Sequence, residues 1–137
     1  MKNFILLALC FSAFAACTST NKIQQAPLHS GIARTFEADY DQVLEFSRQA
    51  LVESGTAIES ATEVDSDNYI IIGKTGTTAW SWGEMVRVVV TRASETESTV
   101  RVLTEKKISV NLTAKGDYSN SILSNIELKI RSAKKSS

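Results

Sequence analysis

The sequence predicts an α+β fold: a two-layer sandwich in which an antiparallel meander sheet of four or five strands carries an N-terminal and a C-terminal helix on one face. Three observations lead there. Apolar residues recur at helical spacing over residues 39–54 and again over 117–131. Between those segments lie runs of β-prone residues, several alternating with period two and divided by turn-forming clusters. Two helices with one apolar stripe each, and a meander with one free face, bury those surfaces most economically when both helices share that face.

The first helix has the clearest pattern. Tyr40, Val43, Leu44, Ser47, Ala50 and Leu51 fall on one side, with Phe46 at its edge. Asp39 can cap the start, Gln42 completes a capping-box spacing, and Gly55 supplies a left-handed C-terminal residue. Residues 56–64 form a weak, edge-like strand, and Asp65-Ser66-Asp67-Asn68 a turn. Tyr69 to Thr75 is a strong strand. In residues 84–92, Val86, Val88 and Val90 take one face and Met85, Arg87, Val89 and Thr91 the other. Residues 99–113 alternate in one register, as one bent strand or two. Ile122, Leu123, Ile126 and Ile130 form the stripe of the final helix, with Leu128 off it and Asp117 as a candidate cap.

The N-terminus is organised differently. Lys2 is followed by residues 4–16, which carry no charge. That run is shorter than the roughly 20 residues a membrane-spanning helix needs, and it has the form of a signal-peptide core. Residues 1–16 are therefore set apart from the fold. Phe14-Ala15-Ala16-Cys17 resembles a bacterial lipobox, with Phe14 where leucine is usual. The resemblance implies that Cys17 is diacylated and becomes the new N-terminus. Cleavage after Ala15, at an A-x-A site, is the alternative. Cys10 leaves with the leader, so Cys17 is the one mature cysteine and no intramolecular disulfide can form. Thr18 stands where an inner-membrane retention signal has Asp, and the resemblance to Gram-negative lipoproteins then implies outer-membrane sorting. Thr18 to Ser30, polar and aperiodic, reads as a flexible tether reaching at most roughly 40 Å at about 3.3 Å per residue. The domain assignment is 1–16 signal peptide, 17–30 lipidated cysteine and tether, and 31–137 a single α+β domain.

Several chemistries are disfavoured by residue content. Gly73-Lys74-Thr75-Gly76 ends like a phosphate loop, but Asn68 stands where the first glycine belongs and no amphipathic helix follows. A strand entering a loop, with glycines for tight geometry, is the better reading. The sole histidine, His29, lies in the tether, so imidazole-assisted nucleophiles and Cys/His zinc sites lack their parts. Asp65 and Asp67 begin a calcium-loop pattern that Tyr69 and Ile70 break. No pair of acids stands out for a glycan hydrolase. The sequence calls for no catalysis, no cofactor and no metal.

Charge is balanced overall, at 15 basic and 15 acidic residues, but unevenly placed. Residues 37–67 hold nine acids and Arg48, whereas 68–137 hold eleven bases and six acids. The basic half could meet acidic headgroups, peptidoglycan or a partner protein; a solvated sheet face with cross-strand pairs is the simpler expectation. Charge and compartment disfavour nucleic acid and nucleotide.

The segments Phe36 to Gly55, Glu84 to Val90 and the final helix, behind a lipobox, together resemble small Gram-negative envelope lipoproteins, including the helix-grip domains of the BamC-type lipoprotein. The resemblance implies an envelope-associated binding or scaffold role without catalysis, anchored through Cys17 and facing the periplasm, with another envelope protein or peptidoglycan as partner. The alternative is a carrier or sensor of a small apolar ligand held between helices and sheet. The candidate contact residues for either are Trp80, Trp82 and Met85. The two tryptophans share a face if extended, and either cover an open end of the core or project as anchors.

Overall fold

The computed structural model describes residues 18–76, 83–106 and 118–136. In chain order the elements are α1 (Thr18–Gln25), β1 (Ile32–Phe36), α2 (Tyr40–Glu53), β2 (Thr56–Asp65), β3 (Asn68–Thr75), β4 (Glu84–Arg92), β5 (Ser98–Lys106) and α3 (Ser119–Ser136). The five strands form one antiparallel sheet in the order β1-β5-β4-β3-β2. Strands β2 to β5 are the predicted meander.

The fifth strand is β1, which the sequence did not single out. Residues 107–113, where a fifth strand was considered, lie outside the described residues. β1 has a weak signature because it is a five-residue edge strand that buries only Phe36. Its pairing with β5, Ile32 opposite Val102 through Phe36 opposite Ser98, is what holds it. Gly31 precedes it at φ +104°, where an added Cβ would stand 2.4 Å from the Val102 carbonyl oxygen. Only glycine lets the chain enter the edge there.

Helices α2 and α3 pack on one face of the sheet, as predicted. Asp39 caps α2, its side chain accepting from the Gln42 N–H at 2.9 Å. Gly55, at φ +87°, follows the C-cap. The buried hydroxyl of Ser47 donates to the Val43 carbonyl at 2.7 Å, so its place on the apolar face leaves nothing unpaired. The main core joins Val43, Ala50 and Leu51 of α2 with Ile122, Leu123, Ile126 and Ile130 of α3. Beneath them lie Ile71, Val86, Val88, Val90, Val100 and Val102 of the sheet. Leu128 is 60% exposed, as its place off the stripe requires.

The predicted Asp65–Asn68 turn closes the β2–β3 hairpin. Asp65 accepts from the Asp67 N–H and from the Asn68 side chain, each at 2.9 Å. These bonds, the Asp67 N–H first, hold the Asp65 carboxyl below its ordinary pKa.

The opposite face of the sheet is not bare. The stretch read as a flexible tether carries α1, and Ile23 is buried with Ile70, Ile72, Met85 and Val89 in a second cluster. One isoleucine in TSTNKIQQ makes no periodic stripe, so composition alone gave no helix. An eight-residue helix is too short to persist by itself and takes its order from the sheet it lies on. Among the described residues, no helix is long and apolar enough to cross a membrane.

Candidate functional site

The most unusual chemistry of the described residues lies under α1. In β4, Val86, Val88 and Val90 face the α2/α3 layer, so Met85, Arg87 and Val89 face the other way. Arg87 is at the middle of the sheet, opposite Ile72 of β3 and Leu103 of β5. Its side chain is 0% exposed. A guanidinium at that depth needs acceptors. It donates from Nη1 to the Ala26 carbonyl and from Nη2 to the Pro27 carbonyl at 2.8 Å. Those carbonyls immediately follow α1, where the negative end of the helix dipole favours a cation. Nε has no acceptor among the described residues. Burial lowers the Arg87 pKa, and the charge of Glu105 acts in the opposite sense. Glu105 itself pairs with Lys22 of α1 at 3.9 Å.

Residues 18–30 therefore form a strap across the back of the sheet. Ile23 is its fully buried side chain, with Leu28 partly buried beside it. Ile23 contributes about 1.5–3 kcal/mol by its burial. Further along, Arg101 donates to the His29 carbonyl at 3.4 Å, and the Ser30 N–H to the Pro27 carbonyl at 2.9 Å.

A second buried polar side chain, Glu84, sits on the other face of β4. It faces the helix layer, 2% exposed, with Oε1 unpartnered among the described residues. Tyr118, just before α3, lies close enough to feel the charge of Glu84. Burial first, and then the charge of Glu84, raise the Tyr118 pKa above 10.0, so the neutral phenol is the form the fold favours.

Of the sequence-predicted contact residues, Met85 is 3% exposed and lies in the strap cluster with Ile23. It points away from the space between helices and sheet where an apolar ligand was expected, because its register is one residue from Val86. Trp80, Trp82 and Cys17 lie outside the described residues. Arg87 is the residue that sequence reasoning passed over, grouping it with surface bases. Its signal was present: in Glu84-Met85-Val86-Arg87-Val88-Val89-Val90 both faces are apolar, so the one arginine had to be buried and partnered.

Part of the separation of acidic and basic halves resolves into pairs between elements. Lys129 reaches Glu53 at 2.7 Å, Arg92 reaches Asp67 at 3.4 Å, and Lys134 lies 3.9 Å from Glu37. Arg34 reaches Glu127 at 3.0 Å. Arg92 also covers the Tyr40 ring, 4.4 Å from its centroid. Lys129, Arg92 and Lys134 are three of the eleven bases of the half that was a candidate for headgroups or glycan. GKTG is equally structural: Gly73 lies under α2, where a Cβ would meet Thr56 Oγ1 at 2.8 Å and Leu51 at 3.0 Å.

No family model matches the chain, and no curated protein matches it. Among solved structures, TTHA0849 from Thermus thermophilus is similar at 12% identity and a TM-score of 0.31, covering 74% of this chain and 96% of that one. A likeness at that level supports no assignment of function.

Proposed function

We propose that the protein is a lipid-anchored lipoprotein of the bacterial cell envelope that binds or scaffolds another envelope component from the periplasmic side, without catalysis. The observation that carries this reading is the short uncharged run 4–16 ending in Phe14-Ala15-Ala16-Cys17, with Cys17 the one cysteine outside the leader. Multiple acyl chains at one terminus give stable attachment where a single chain is marginal. The docked strap adds a mechanical element. Ile23 lies six residues after Cys17. α1 starts at Thr18, the residue after Cys17, and the five helical steps from there to Ile23 span about 7.5 Å at 1.5 Å each, so an anchor at Cys17 would hold the sheet close to the bilayer. A partner would then meet a domain of restricted orientation rather than one on a long leash. The anchor is tested by metabolic labelling with a palmitate analogue in a Gram-negative host. Wild-type chain is expected to take up label and fractionate with membranes, and Cys17→Ser to do neither. A Cys17→Ser chain labelled as strongly as wild type would overturn the reading.

A further inference from the structure

The strap covers a trough whose chemistry does not match its occupant. Ile70, Ile72, Met85, Val89 and Leu103 make its floor apolar. Arg87 stands among them, and no carboxylate among the described residues bonds its guanidinium. Two neutral carbonyls satisfy Nη1 and Nη2, while Nε has nothing there. The charge of Glu105 acts on it without a bond, and a buried cation whose bonded acceptors are both neutral, with one donor unused, would be served better by an anionic oxygen than by the carbonyls. The cover is also of a kind that can leave. It is a short helix whose one fully buried side chain among those described is Ile23, and its far end turns at Gly31.

We propose that this trough is a binding site for a single-chain amphiphile with one anionic oxygen headgroup, a free fatty acid, and that residues 18–30 are a displaceable strap imitating it. The carboxylate pairs with Arg87 in place of the Ala26 and Pro27 carbonyls, and the tail lies along the side chains that Ile23 now covers. The site is on the opposite face from the helix layer, and Met85, of the predicted contact residues, lines it. It lies beneath a strap rather than on an open surface, which suits one molecule and not the plane of a bilayer. The inference goes beyond the anchoring reading and does not depend on a lipid at Cys17.

Hydrogen exchange of the full chain in a nonionic detergent tests it, comparing strap amides 20–28 with those of β4. Oleate is expected to speed strap exchange at least tenfold, saturably, leaving β4 unchanged. Oleyl alcohol, the same tail without the charge, is expected to have no effect, and Cys17→Ser to respond as wild type. Arg87→Gln should lose the oleate response. Ile23→Ser, which loosens the strap without touching Arg87, should saturate at several-fold lower oleate, and it carries the test if Arg87→Gln does not fold. Equal responses to oleate and oleyl alcohol, or no response to oleate in both wild type and Ile23→Ser, would overturn the proposal. So would release by phosphatidylglycerol but not by oleate.

Discussion

Gly73 shows how one residue can carry a misleading motif and a necessary contact. It completes GKTG, yet its role is the absence of a side chain under Leu51 and beside Thr56, whose hydroxyl donates to the Leu51 carbonyl at 2.7 Å. A Gly73→Ala substitution should lift α2 from the sheet and cost about 1–3 kcal/mol, as overpacking does, measured as a lower urea midpoint with unchanged m-value. An unchanged midpoint would mean that the helix yields without strain. Arg87 is the opposite case, a side chain whose type the sequence displays and whose partners it conceals. The alternation of β4 places it on the Met85 face. That its guanidinium ends on carbonyls some 60 positions earlier in the chain is a tertiary fact.

Elements were legible in proportion to their autonomy. α2 carries its own start, stripe and stop, and the structure repeats all three: the Asp39 cap, the buried Tyr40, Val43, Ser47, Ala50 and Leu51, and Gly55 beyond the end. Replacing Asp39 with Ala should therefore cost about 1 kcal/mol, read from thermal unfolding, and Asp39→Asn should recover most of it. Equal losses in both variants would mean that the charge rather than the cap matters. β3, β4 and the stripe of α3 were legible for similar reasons of period. α1 and β1 were not. Each buries a single apolar side chain, too little to make a period, and each exists because a surface elsewhere receives it: the back of β4 for α1, the edge of β5 for β1.

At the scale of the molecule, the sheet is buried over much of both faces, by a thick α2/α3 layer in front and by the strap behind. The front layer holds most of the core, so the fold should survive loss of the strap. A chain lacking residues 18–30 should unfold cooperatively with stability lower by about 1.5–3 kcal/mol, the share of Ile23, and should bind a fluorescent apolar dye that the intact chain does not. Absence of dye binding would show that the trough closes without its cover. The ion pairs linking α3 to β1, to α2 and to the β1–α2 connection sit at the surface, where each contributes little, so charge balance shapes this surface more than it stabilises the fold. The sequence by itself determined the fold class, the strands β3 and β4, both long helices with their buried faces, and the meander, because these follow from local period and caps. Only the tertiary structure decided that β1 closes the sheet, that residues 18–25 lie helical against its back, that Met85 faces away from the helices, and that Arg87 is sealed beneath a strap. Each of those depends on a contact between residues far apart in the chain, which no local period encodes.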